Sequence, residues 1–400
     1  MRPAEMASLL RLERPRLPTD AHRLQRCHTV DDLRTAARRR LPRAAFDYVD
    51  GGAEDEVTLR RNRAAFDDWE LVPQVLRDVG AVDLRTEVLG VSCALPLVLG
   101  PTGFTRMVHP DGERAVAASA ERFGVPYVAA TLGTTSLEDV RAVGDAALWF
   151  QLYVWRDRGL SKDLVARAQD AGYRALVLTV DTPVPGARER DQRNGLTIPP
   201  ALDLRTLVDG ARHPRWWWGL LGSEPLTFAN VRHVADQPTA VMEFVGAQFD
   251  PTVSWDDLDW IADAWDGPLV LKGILSPADA RRAADHGVDA VVVSNHGGRQ
   301  LDHAPATLTA LDVIAQEVGN DLELLVDSGV RRGTDVAKAL ALGARAVLLG
   351  RPYLYGLAVG GPAGRARGRG VYAPPRGGGE PRRGGATGGP RARGGGQPPW

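Results

Sequence analysis

Cysteine is nearly missing from this chain of 400 residues: Cys27 and Cys93 are the whole supply. Two thiols cannot build a disulfide framework or a zinc cluster, and such sparing use fits a reducing cytoplasm. Long apolar runs are missing too. None reaches the ~18 residues of a membrane span. The opening MRPAEMASLLRLERPR offers only ASLL where a secretory leader needs an apolar core. Nor is there a surplus of positive charge, since the formal net charge is −1. The last forty residues hold eight arginines against one glutamate, so the body before them is acidic. An acidic body argues against a nucleic-acid partner. A soluble cytoplasmic protein is expected, with 44% hydrophobic residues to fill one large core or two ordinary ones.

What is present is a recurring unit. From residue 95 a short apolar run, a turn and an amphipathic stretch follow one another repeatedly. The runs are LPLVLGPTG (95–103), PYVAATLG (126–133), LWFQLYV (148–154) and ALVLTVDTP (175–183). They continue as LVLKGI (269–274), AVVVSNHG (290–297), LELLVDSGV (322–330) and AVLLGRP (346–352). Continuous apolar runs suit strands buried on both faces of a parallel sheet. Helical patterns such as 111–124, 276–287 and 334–343 lie between them, several closing on glycine. Eight such units over about 260 residues predict an α/β fold, a (β/α)8 TIM barrel. A doubly wound sheet is the alternative, but no GxGxxG follows the first run.

Around that core, residues 1–27 read as an N-terminal extension, and the segment that starts at 28 reads as mainly helical. The barrel core spans about 91–360, with an insertion of about 184–268 that contains HPRWWWGLLG (213–222). An insertion that long predicts a lid; a membrane-interface role for the three tryptophans is the second reading. Residues 361–400 hold 14 Gly, 8 Arg and 7 Pro with no Leu or Ile, which predicts disorder. The eighth helix of the barrel is therefore expected to be missing or altered. High-GC coding DNA read out of frame gives this composition, so loss of frame near Gly361 is one explanation and a true low-complexity tail the other.

Barrel chemistry sits where strands end. The predicted ends carry Thr102 and Gly103, Gln151 and Tyr153, Thr179 and Asp181, then Lys272, Ser294 and His296, Asp327, and Gly350 and Arg351. One polar residue at a loop entrance is ordinarily just solvated; so many at one rim point to a site. DSGVRRG (327–333) and GRP (350–352) combine small residues with arginine after the seventh and eighth strands, where barrels often bind phosphate. Asp181 is a plausible partner that would orient His296 as a general base and favour its protonated form. Arg188 and Arg299, without paired acids, suggest a carboxylate substrate. These residues imply an anionic ligand, a histidine base and a carboxylate; they do not by themselves imply a flavin.

SNHGGRQLD (294–302), LTVDTP, FQLYVWRDR, KGI, DSGVRRGTDV and the early FDYVDGGAEDE resemble the FMN-dependent L-2-hydroxy acid oxidase and dehydrogenase family, in order and spacing, over about 30–360. The pattern is most similar to L-lactate dehydrogenases of actinobacterial type. The resemblance implies His296 as base with Asp181 as its partner, and Arg188, Arg299, Tyr48 and Tyr153 at the substrate. It implies FMN held by Thr102, Gly103, Ala130, Gln151, Thr179, Lys272 and Ser294, with Asp327, Ser328, Gly329, Arg331, Gly350 and Arg351 at its ribityl chain and phosphate. Lys272 would stabilise negative charge on the reduced flavin. The activity implied is oxidation of an L-2-hydroxy acid, L-lactate foremost, with the flavin taking two electrons. Ala130 departs from the serine common in the family, with Thr131 adjacent, and Leu132 from a tryptophan of glycolate oxidase; Gly103 is closer to dehydrogenase members. The electron acceptor stays open between a quinone, a cytochrome and oxygen. A homo-oligomer, often a tetramer, and a cytoplasmic or peripheral inner-membrane location are implied, and no metal. Competing readings are an oxygen-using oxidase, another FMN barrel, and an inactive flavin-binding protein with a damaged C-terminus.

Overall fold

Eight short strands made almost wholly of Val, Leu, Ile and Ala stand at the centre of the computed structural model, which describes residues 19–195, 204–234 and 237–370. An antiparallel hairpin comes first: β1 (Thr86–Val88) and β2 (Val91–Cys93). Then follow β3 (Leu97–Leu99), β4 (Tyr127–Ala130), β5 (Leu148–Leu152), β6 (Leu176–Thr179), β7 (Leu269–Ile274), β8 (Ala290–Val293), β9 (Glu323–Val326) and β10 (Ala346–Leu349). The last eight are parallel and close into a barrel, β10 pairing with β3. Each lies within one of the eight apolar runs, so the expected barrel is the observed one.

Alternate residues divide between two cores because successive side chains of a strand face opposite ways. Val98, Val128, Trp149, Val177, Val270, Val292, Leu325 and Leu348 fill the interior. Their neighbours, such as Leu97, Tyr127, Phe150 and Leu178, face the surrounding helices. The hairpin was not foreseen. Its Val88 and Cys93 join the interior cluster, and Leu89 N donates to Glu323 Oε2 at 3.1 Å, at the start of β9. The hairpin thus plugs the N-terminal end of the barrel and leaves the C-terminal end for chemistry.

The expectation of a missing eighth helix is corrected. A helix runs Arg351–Gly370, separated from β10 by Gly350 alone. Tyr353, Leu354, Tyr355, Leu357, Ala358 and Val359 are all buried in it. It packs on the helices Asp20–Gln25, Val30–Arg40 and Gly112–Phe123. Each large apolar side chain buried there stabilises the fold by roughly 1.5–3 kcal/mol over leaving it exposed. The helix was sought beyond 361, in a segment without Leu or Ile, whereas it begins ten residues earlier. What is altered is its course: Gly361 breaks it at φ 51°, ψ −138°, a conformation that suits glycine. The disorder expected from 361 does not hold for 361–370, which lie in the helix. The expectations for 1–18 and 371–400 fall outside the described residues.

The segment between β6 and β7 folds over the barrel mouth with helices that include Pro214–Leu221 and Pro238–Gln248. Trp216 Nε1 donates to Met107 O at 2.7 Å, while Trp218 is 83% exposed. The three tryptophans therefore do not share one environment.

Candidate active site

At the C-terminal end of the barrel a cleft of about 300 Å³ collects the side chains that the strand ends carry. Of the expected residues, Thr102, Gly103, Ala130, Gln151, Tyr153, Thr179, Lys272 and His296 line it. So do Asp327, Ser328, Gly329, Arg331, Gly350 and Arg351. Tyr48, Arg188 and Arg299 reach it from flanking segments. Asp181 and Ser294 stand behind the lining and hydrogen-bond to residues that do line it, His296 and Lys272.

Asp181 Oδ1 lies 3.0 Å from His296 Nδ1. The carboxylate accepts the Nδ1 proton, which leaves Nε2 as the basic nitrogen. His296 sits at φ 58°, a left-handed conformation rare for a residue with a side chain, and its N–H donates to Ser294 Oγ at 3.1 Å. Phe104 (φ 54°) and Ser328 (φ 76°), both in the cleft lining, share that strain. Such strain clusters where surrounding structure is built to hold a functional geometry. Asp181 does favour the protonated ring, as the sequence led one to expect, but it is not the dominant influence. Burial, with Lys272 and Arg299 nearby, outweighs Asp181 and lowers the His296 pKa from its usual 6.5. The net shift favours the neutral imidazole.

Lys272 is buried on β7. Its Nζ donates to Ser294 Oγ at 2.9 Å and lies 3.3 Å from Asp327 Oδ2. Burial alone would depress its pKa, but Asp327 and Asp181 raise it, so the cation persists. Tyr153 is held protonated chiefly by burial, reinforced by Asp181, and keeps a donating hydroxyl.

Two pairs of guanidinium groups occupy the cleft. Arg299 donates to the carbonyls of Tyr48 (2.5 Å) and Gly51 (3.2 Å). Burial and the Arg188 charge bring its pKa down to about 10. Arg351 donates to Val49 O, Gly297 O and Gly51 O at 2.8–2.9 Å, and burial and Arg331 lower its pKa too. Buried like charges are costly unless an anion joins them. Arg188 is less free than expected, because Asp191 Oδ2 stands 3.5 Å from its Nε.

Several contributors were not foreseen. Gly273 allows β7 to pass Asp181: at φ +117° its Cβ would lie 2.6 Å from Asp181 Cβ. The KGI motif drew attention to its lysine and hid the glycine. Phe104, Phe228, Gly246 and Phe249 wall the cleft from the far side, where Phe104 and Phe228 meet edge-on at 4.7 Å. Thr131, a possible stand-in beside Ala130, is committed elsewhere: its hydroxyl bonds Gln151 O at 2.5 Å and Tyr153 N at 3.1 Å.

The profile of FMN-dependent dehydrogenases matches residues 37–368. The chain belongs to that family. It is 50% identical over 340 residues to the L-lactate dehydrogenase of Caulobacter sp. (strain K31), covering 84% of this chain and 89% of the relative. Among solved structures, the monotopic membrane protein (S)-mandelate dehydrogenase superposes with TM-score 0.83 at 40% identity, covering 87% of this chain and 94% of that one. Mandelate oxidase with (S)-4-hydroxymandelic acid superposes at 0.75 and 41% identity, covering 86% and 92%.

The cleft of this FMN-dependent dehydrogenase fits its cofactor on its own evidence. Gln151 Nε2 and Thr179 Oγ1 are buried without a hydrogen-bond partner, and both residues line the cleft. Orphaned polar atoms at a cleft wall are what a polar ring edge would satisfy. The Arg331 and Arg351 pair, next to Ser328 and Gly329, suits a phosphate. Lys272 suits an electron-rich ring. When bound, FMN supplies a two-electron acceptor. Among the described residues no helix is long and apolar enough to cross a membrane, and no group of three or more potential ligands could hold a metal ion.

Proposed function

We propose that the chain oxidises an L-2-hydroxy acid, L-lactate first among them, to the 2-oxo acid. The observation that carries this reading is His296, held by Asp181 at 3.0 Å, facing the Arg188 and Arg299 cations in one cleft. A 2-hydroxy acid carries a carboxylate for the arginines and, one bond away, the proton that a base must take. Arg188, Arg299 and Tyr48 orient the carboxylate, Tyr153 donates to a substrate oxygen, and His296 Nε2 receives the proton while Asp181 holds the ring. Thr102, Gly103, Ala130, Gln151, Thr179, Lys272 and Ser294 support the flavin ring, and Asp327, Ser328, Gly329, Arg331, Gly350 and Arg351 its ribityl and phosphate. The lactate assignment draws on the Caulobacter relative named L-lactate dehydrogenase.

Replacing the base tests the reading. His296→Gln is expected to keep its flavin absorbance and to lose roughly 10²–10⁴-fold in the rate of flavin reduction by L-lactate. Wild-type rates in that variant would remove His296 from the reaction.

A peripheral membrane location belongs to the same proposal. Leu204, Leu207, Val208, Trp218 and Leu221 of the insertion are exposed together in sequence, and the mandelate dehydrogenase neighbour is described as monotopic. Flotation with lipid vesicles should carry the wild-type chain, and Trp218→Ser with Leu221→Ser should release it. A wild-type chain left wholly in the aqueous fraction would contradict this location.

A further inference from the structure

Arg188 reaches the cleft at the end of the loop after β6, as the N-cap of the short helix Glu189–Arg193, and that helix is fastened through Arg190. Arg190 Nη1 stands 3.2 Å from Asp50 Oδ2 and 3.6 Å from Asp47 Oδ1, and its Nη2 donates to Glu56. Two further bonds run beside it. Asn194 Nδ2 donates to Asp47 Oδ2 at 2.8 Å, and Glu54 N donates to Ala187 O at 2.8 Å. The acceptors Asp47 and Asp50 lie on the helix Arg43–Asp50, which also carries Tyr48.

Asp50 is more than a surface partner. It is 4% exposed, and it also accepts from Arg34 Nη2 at 2.8 Å and from the Tyr355 hydroxyl at 2.7 Å. One carboxylate therefore joins the helix Val30–Arg40, the last helix and the short helix that Arg188 caps. The guanidinium of Arg188 belongs instead to the cleft lining. It lies 5.8 Å from the centre of the Tyr48 ring, over which Arg299 also sits at 5.0 Å.

We propose that Arg190 is a positioning residue whose clamp on Asp47, Asp50 and Glu56 fixes Arg188 in register with Tyr48. This rests on the reading of Arg188 and Tyr48 as the carboxylate cradle. Arg190 touches no lining residue's reacting atoms; it removes the freedom of the loop before substrate arrives. A cradle assembled in advance loses less entropy on binding, and a shift of about 1 Å in such a group is enough to weaken it.

The test uses the holoenzyme and two variants. Arg190→Gln should raise KM for L-lactate by about 10-fold or more and change kcat by less than about threefold, because the lost interaction is uniform binding. The flavin spectrum should stay unchanged, and Arg190→Lys should recover part of the KM. Amide hydrogen exchange of residues 186–195 should be faster in Arg190→Gln without any substrate present. If wild type is reduced by L-lactate while Arg190→Gln matches it in both KM and exchange, the clamp is refuted. Loss of flavin from both variants would make Arg190 a scaffold residue and equally overturn the proposal. If no 2-hydroxy acid reduces wild type yet exchange quickens in the variant, the clamp stands and the substrate reading fails.

Discussion

As the proposed base, His296 has to be neutral and fixed in one orientation, and its neighbours divide those tasks. Burial, Lys272 and Arg299 lower its pKa, while Asp181 pulls in the opposite direction and orients the ring. The sign of the pH dependence follows. The unprotonated ring is the competent base, so kcat/KM should rise with pH and level off, with its inflection below 6.5. Asp181→Asn removes the carboxylate that raises the pKa, so its inflection should move lower still while kcat falls by about 10²-fold or more. A pH–rate profile of both proteins checks this. An Asp181→Asn inflection above that of wild type would mean that another group titrates.

Among elements, β7 shows how much a site depends on a residue without a side chain. Gly273 follows Lys272, and at that point the pairing of β7 with β8 shifts register. Gly273→Ala would press a methyl group against Asp181 and force a side chain to φ +117°. Urea unfolding should show a loss of roughly 1–3 kcal/mol, together with a fall in kcat as Asp181 is displaced. Full activity at unchanged stability would contradict the close packing.

The strands were legible in the sequence because both of their faces are buried, which leaves an unbroken apolar run such as AVVV before SNHG. The strand-end residues were legible for the same reason, since a polar group that interrupts such a run must stand at the rim. The hairpin at 86–93 was not: each of its strands buries a single residue, Val88 or Cys93, so no apolar run marks it. Neither was the Arg190 clamp. Nothing local to Arg190 points to Asp50, which is 140 residues away, or links Asp50 to Tyr355, 305 residues off. The last helix was misjudged because the glycine-rich composition after 361 drew attention away from YLYGLAV, which precedes it.

For the whole molecule, fold, cleft and chemistry require one another. The hairpin closes one end of the barrel, and the other end gathers the His296–Asp181 pair, a buried lysine and two arginine pairs. The helix Arg351–Gly370 completes the barrel wall and delivers both Arg351 and Tyr355. Such a molecule should accept electrons only from a ligand that satisfies the arginines and the base together. An anaerobic visible spectrum of the purified chain, before and after L-lactate, tests this most directly. A bound-flavin spectrum that bleaches with L-lactate is the predicted result; a flavin that stays oxidised with every L-2-hydroxy acid tried would contradict the account.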